Sequence, residues 1–164
     1  RFDQLVLQGA GHDLDLALAG EIWAEVCKQE YELALFPDVI DGLEKVREMG
    51  LIVAVLSNMN TSGDRPCEDM GLVGHVDFAM TSGESGVEKP DPRIFKAALV
   101  KAGVEAGEAA VVGDQLESDI YGAENAGLMP ILMDRYNGHH NYDKHPRVID
   151  MDSTIAVISG LLVK

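Results

Sequence analysis

Three short runs in this chain carry residue types able to handle a phosphate and a hard metal ion: Leu56-Ser57-Asn58, Glu88-Lys89-Pro90-Asp91, and Gly113-Asp114 with Asp119 further on. A hydroxyl and an amide can donate to phosphoryl oxygens, an ammonium can neutralise them, and carboxylate oxygens suit Mg2+. Each run also has an ordinary structural reading. Ser57 and Asn58 are good turn cappers, Lys89 can be a solvated surface lysine, and Asp114 can be an acid at a helix start. Asp91 followed by Pro92 reads as an N-cap and first helical position, so Lys89 stands beside the positive end of a helix dipole. An anion held jointly by the lysine and the helix start reconciles that placement. Asp119 lies about one and a half turns into the coming helix, close enough to support a metal or the loop that holds it.

These residues need elements that deliver them to one place. The run LIVAVLSN is continuous and apolar, as expected of a strand buried on both faces of a parallel sheet, and AAVVGD repeats the arrangement. Both end in polar residues, and carboxyl ends of strands are where open α/β sheets bind ligands. Around them the pattern alternates. A helix is expected over 14 to 33, with Leu14, Leu18, Ile22 or Trp23, and Val26 on one stripe. Phe36-Pro37-Asp38 opens a second helix that stops at Gly50, and strand 51 to 56 follows. Then come a helix near 64 to 70, a strand around Val76 to Met80, a helix from Pro92 to Ala102 and a strand over 109 to 113. A helix over 117 to 126, a strand from Pro130 to Met133, a polar loop, and a small strand with a closing helix over 147 to 163 complete the chain. Strands alternating with helices imply right-handed crossovers and a doubly wound, Rossmann-like parallel sheet, class α/β.

Composition narrows the chemistry. With 164 residues, 46% of them hydrophobic, one main domain with a real core is expected. Thirteen basic against 28 acidic residues give a net charge of −15, which repels polyanions and excludes a nucleic-acid partner. A small phosphorylated molecule remains compatible, because one lysine or a bound metal reverses the potential locally. Cys27 and Cys67 form no paired framework, which points to a reducing, cytoplasmic compartment, and no stretch has the length of a membrane span. A chain that begins at Arg1 reads as one begun at an internal position of its protein. His139, His140, His145 and Asp143 match no closed zinc spacing and read as a solvated loop.

In order and placement the three runs resemble the motifs of the haloacid dehalogenase-like (HAD) hydrolases, mostly magnesium-dependent phosphatases, and the resemblance covers nearly the whole chain. It implies that Ser57, with the Asn58 backbone, holds the transferring phosphoryl oxygens. Lys89 neutralises nucleophile and phosphate, Asp114 binds Mg2+, and Asp119 assists that site. Residues 1–35 resemble the last part of a helical cap and 36–164 the α/β core. The departure is the first motif, DxDx(T/V), whose leading aspartate attacks phosphorus: nothing before Leu51 matches it. Asp150-Met151-Asp152-Ser153-Thr154 does match, which opens the reading of a circularly permuted enzyme. The family's usual terminal strand and helix account for 147 to 163 without rearrangement.

The resemblance therefore implies a magnesium-dependent phosphomonoesterase whose chain, as given, lacks its nucleophile and is inactive alone. The alternative is a non-catalytic phosphate-binding or interaction protein on the same fold. Dehalogenation is disfavoured, because it does not need Asp114. The family places the nucleophile strand between the strands ending at Ser57 and Gly113, so two unpaired edges are expected to face each other. An upstream segment, Arg1 to Gln8, Arg147 to Asp150, or a second copy in a homodimer would fill that gap.

Overall fold

The structure is a computed structural model that describes residues 15–26, 28 and 34–163. The chain divides into two compact units, Arg1–Ala34 and Leu35–Lys164. In the first, helix α1 (Leu16–Val26) opens on Asp15, whose carboxylate accepts the Leu18 amide at 2.9 Å. On the expected stripe of α1, Leu18 and Val26 are largely exposed, whereas Ala19 is buried. Gly9 to Gly11, Leu14, Cys27 and residues 29–33 lie outside the described residues.

The second unit follows the expected alternation: α2 (Val39–Glu48), β1 (Ala54–Ser57), α3 (Asp64–Asp69), β2 (Phe78–Thr81), α4 (Ser82–Ser85), α5 (Pro92–Ala102), β3 (Ala110–Gly113), α6 (Gly122–Ala126), β4 (Met129–Met133), β5 (Arg147–Val148) and α7 (Met151–Leu162). Helix α5 begins as its residues dictate: Asp91 accepts the Arg93 amide at 2.9 Å and Pro92 needs no donor partner. The short helix α4 was not legible in advance; a capping box between Thr81 and Glu84 starts it. The region expected as a helix over 117 to 126 is instead a π-helix over Leu116–Tyr121 that runs into α6. Helices α2 and α7 approach closely enough that a Cβ on Gly42 would meet the Cβ of Met151 at 2.6 Å.

All strand pairs are parallel, as a doubly wound α/β fold requires, but the sheet is in two pieces. β1 pairs with β2, and β3 with β4 and then β5; among the described residues nothing pairs across from β1 to β3. The Asp77 amide donates to the Val53 carbonyl, so Val53, Val55 and Ser57 direct their backbone groups to β2 while Ala54 and Leu56 direct theirs the other way. The Met129 amide donates to Ala109, which likewise leaves Ala110 and Val112 facing away from β4. The expectation that LIVAVLSN is buried on both faces is corrected here. Ile52 is 52% exposed and Ala54 is exposed, whereas Ile131 and Leu132 of β4 are fully buried. A strand is buried by what surrounds it, and among the described residues β1 has a strand neighbour on one side only.

The core falls into two clusters, the first of which spans both half-sheets. Ile94 and Phe95 of α5 pack with Ala123, Ala126 and Leu128, and Leu56 and Val111 join them; Cys67, Leu72 and Ala79 form a second cluster with Val39, Ile40, Leu43 and Val55. Each fully buried side chain such as Ile94 or Phe95 contributes about 1.5–3 kcal/mol.

Candidate functional site

Lys89 stands between the two half-sheets. Its ammonium donates to Asp119 Oδ1 at 2.6 Å and to the Leu56 carbonyl, on the open edge of β1, at 2.9 Å. Both side chains of the ion pair are withdrawn from water, Lys89 to 14% and Asp119 to 7% exposure. The backbone of Lys89 is held as firmly: its amide donates to Asn58 Oδ1 at 2.8 Å and its carbonyl accepts Asn58 Nδ2 at 2.9 Å. One asparagine thus fastens the tip of β1 to the lysine loop through both ends of its side-chain amide.

Asp119 is delivered by the wide turn after β3. The Gln115 carbonyl accepts both the Asp119 amide at 2.9 Å and the Ile120 amide at 3.3 Å, and the second of these is the i→i+5 bond of a π turn. The turn carries the carboxylate back over the end of β3, where Oδ2 accepts the Gln115 amide at 3.1 Å. Only glycine permits this return, since a Cβ on Gly113 would lie 2.5 Å from the Asp119 side chain.

Ser57, half-buried at the end of β1, has a side-chain hydroxyl with no hydrogen-bond partner among the described residues. Asp114 is exposed at the end of β3 and makes no ion pair or hydrogen bond among them. The five motif residues therefore divide by use. Asn58, Lys89 and Asp119 are tied into one network, whereas Ser57 and Asp114 present free polar groups at the two strand ends. An ammonium has three N–H bonds, and Lys89 spends two, which leaves one for an incoming oxygen. Asp114 offers the hard oxygen a divalent cation takes, but both Asp119 oxygens are already engaged, so the donor set suits such an ion in kind and is short in number.

The joint anion site of Lys89 and the α5 start is not what the structure builds. The ammonium turns to Asp119, and Arg93 closes on Asp91 instead, with Nη2 to Oδ2 at 2.6 Å. Chiefly that Arg93 hydrogen bond, with the Arg93 amide, brings the Asp91 carboxyl down to about 2. Arg93 and the Leu56 carbonyl were not singled out in the sequence. Arg93 could have been, as the residue two positions past an N-cap aspartate. Which carbonyl lies on an open edge has no sequence signal.

Other candidates fall away from the site. Asp150 caps α7 through Ser153, and Asp152 pairs with Lys45 at 3.0 Å, so the DxDxT match is the start of a helix next to β5, on the far side of β4 from β3. His145 faces Glu124 at 3.5 Å. Burial pushes the Cys67 thiol up, away from nucleophilic use. A cleft of about 380 Å³ beside β2, lined by Met80, Glu84, Ser85, Val87, Arg93 and Lys101 among others, includes none of the motif residues. Among the described residues no helix is long and apolar enough to cross a membrane.

Comparison with known proteins identifies the family. The model of the haloacid dehalogenase-like hydrolases matches residues 2–127. A ribulose-1,5-bisphosphate 5-phosphatase of Halopiger xanaduensis is 38% identical over 120 residues, covering 73% of this chain and 49% of that protein. A phosphoserine phosphatase of Thermus thermophilus is 36% identical over 118 residues, covering 71% and 47%. This chain spans about half the length of these curated relatives. Among solved structures, a HAD phosphatase from Thermococcus onnurineus superposes with a TM-score of 0.70 at 29% identity, covering 77% of this chain and 59% of that one. A 2-haloacid dehalogenase from Pseudomonas syringae pv. Tomato reaches the same TM-score and identity, covering 93% and 66%. With its parallel half-sheets and its motifs at the strand ends, the chain belongs to the haloacid dehalogenase-like hydrolases.

Proposed function

We propose that this chain forms the phosphate-binding part of a Mg2+-dependent phosphomonoester phosphatase acting on a small phosphorylated molecule, and that it does not turn over substrate by itself. The observation that carries this reading is the buried Lys89 ammonium, fixed between the ends of β1 and β3 with one N–H unspent. The phosphatase relatives support the reaction class.

In this reading the Ser57 hydroxyl and the Asn58 backbone amide donate to two phosphoryl oxygens, and the free N–H of Lys89 donates to a third. Asp119 keeps the ammonium from swinging to solvent, and Asn58 keeps the lysine loop in register with β1. Asp114 would hold Mg2+, which when bound offsets charge on the phosphoryl group. The phosphoryl group passes to an aspartate oxygen as the ester P–O bond breaks, and water then cleaves the aspartyl phosphate. Asp119, engaged by Lys89, and Asp150, which caps a helix, do not suit the nucleophile. In this reading the carboxylate comes from another segment, and a strand entering between β1 and β3 would bring one to Lys89. The open edges equally suit strand pairing with a second copy, so the isolated chain forms a homodimer. Its cysteine usage fits a cytoplasmic protein.

A non-catalytic phosphate-binding protein is the second reading, favoured by the fact that Lys89 and Asp119 already satisfy each other. Phosphate titration followed by NMR tests the site itself. Lys89→Ala should weaken phosphate binding and Asp114→Asn should weaken Mg2+ binding, whereas parent-like affinities in both variants would remove it. Metal-dependent hydrolysis of an aryl phosphate by these 164 residues alone would refute the claim of inactivity. Sedimentation that shows only a monomer would refute the homodimer.

A further inference from the structure

The loop that leaves β1 is exposed at its side chains and anchored at its backbone. Asn60, Thr61 and Ser62 are all exposed, yet the Met59 carbonyl accepts the Gly83 amide at 2.9 Å and the Ser82 hydroxyl at 3.2 Å. These two donors fill both lone pairs of that carbonyl. The Thr61 carbonyl accepts the hydroxyl of Thr81, a residue only 1% exposed, and the Ser62 carbonyl accepts the Arg65 amide at 3.2 Å. Thr81 is itself fixed by the capping box that starts α4, its hydroxyl accepting the Glu84 amide at 3.4 Å. The backing is tight, since a Cβ on Gly83 would lie 3.0 Å from the Asn60 carbonyl carbon and 3.1 Å from its Cα.

This fastening uses the loop's acceptors and spares its donors. Among the described residues, the backbone amides of 58–62 donate to no protein acceptor. A peptide is planar with its N–H opposite its C=O, so pinning the Met59 carbonyl to α4 turns the Asn60 N–H away from α4. Upstream, Lys89 holds the Leu56 carbonyl through its ammonium and both ends of the Asn58 amide through its backbone. Ser57 and Asn58 therefore stand between two anchors, the lysine loop before them and the α4 turn after them. Water would satisfy the carbonyls of an exposed loop equally well. What the second anchor adds is loss of freedom in the donors beside it, and donors held in place before an anion arrives bind it at a lower entropic cost.

Building on the phosphate-site reading, we propose that Ser82 and Gly83 are positioning residues for the phosphate. They touch no ligand; by pinning the Met59 carbonyl they hold the Ser57 hydroxyl and the Asn58 amide in their binding arrangement. In sequence the pair lies between the Ser57 and Lys89 motifs and belongs to neither.

The test uses the 164-residue chain with inorganic phosphate as the probe, followed by NMR at the Asn58 amide and the Lys89 side chain at a temperature where each variant is fully folded. Gly83→Ala pushes the Asn60 backbone aside and should weaken phosphate binding about tenfold, because small misplacements of binding groups are costly. Ser82→Ala removes one hydrogen bond and should weaken binding about threefold, while Ser82→Thr keeps the hydroxyl and the parent affinity. Gly160→Ala, whose Cβ would meet nothing within 4 Å, should also bind like the parent. In Ser82→Ala the phosphate-induced shift of the Asn58 amide should shrink while that of the Lys89 side chain persists. Parent affinities in both Gly83→Ala and Ser82→Ala, with only the unfolding midpoint lowered, would overturn the proposal, as would a loss in Ser82→Thr as large as in Ser82→Ala. If Gly83→Ala does not fold, the two Ser82 variants decide alone. Failure of the phosphate site itself is separately visible, because phosphate would then move neither probe in the parent chain.

Discussion

Asp119 and Asp134 are both withdrawn from solvent at the carboxyl end of a strand, yet they are satisfied in opposite ways. Asp134 takes two backbone amides from residues 138 and 139 and the guanidinium of Arg147, all supplied by the turn it organises and the neighbouring strand. Asp119 takes one neighbouring amide and an ammonium from thirty residues earlier in the chain, and that ammonium also covers an otherwise open strand edge. The first arrangement is closed and local, and it holds a turn in shape. The second is bridging and keeps a spare donor, so it can exchange partners with a ligand. Burial of a carboxylate alone does not separate structure from function; the origin of its donors does.

The largest effect should come from removing the bridge. Lys89→Ala leaves Asp119 buried without its cation and strips the Leu56 carbonyl of its donor, at a cost of about 2 kcal/mol. Chemical denaturation should show that loss together with a phosphate affinity reduced at least tenfold. Arg147→Ala, on the Asp134 side, should lower stability and leave phosphate affinity at the parent value. If the two variants behave alike, the contrast fails.

A narrower cut separates binding from stability within the site. Because Asp114 makes no hydrogen bond or ion pair among the described residues, Asp114→Asn should leave the unfolding midpoint in place while weakening Mg2+ binding about tenfold by calorimetric titration. Asn58→Ala removes two hydrogen bonds at an exposed position and should cost about 1 kcal/mol. Its signature is local: amide exchange at Lys89 should accelerate well beyond that in β4.

The smallest effects are in pH dependence. Burial alone would raise the Asp134 carboxyl, but the His139 amide, Arg147 and the Gly138 amide outweigh it and hold the group below its ordinary 3.8. A depressed carboxyl contributes stability that is present above the ordinary value and is lost as pH falls through the depressed one. At half-buried Asp91 the same sign holds, with the window running from 3.8 down to about 2. Arg93→Ala should return the Asp91 titration midpoint, followed by carboxyl NMR, most of the way to 3.8.

Much of this was legible in the residues. Helix α5 ends where its sequence says, because Asp91, Pro92 and Gly103 are local signals that act within one turn. The order of elements follows from apolar periodicity in the same way. The π turn did not, because the register of Asp119 depends on Gly113 admitting its side chain and on Lys89 arriving from another loop. The burial of β1 was also misread, since a strand's apolar run reports what it can pack against and not whether a neighbour is there.

By itself, then, the sequence determined the α/β alternation, the motif residues and their order, because helix caps, turn residues and hydrophobic period are short-range physics. Only the tertiary structure decided that Lys89 faces Asp119 instead of the α5 start and that Phe36 meets Tyr136. Those outcomes turn on which edges and side chains from distant parts of the chain satisfy one another. That pairing is set by strand order and packing, which no local pattern encodes.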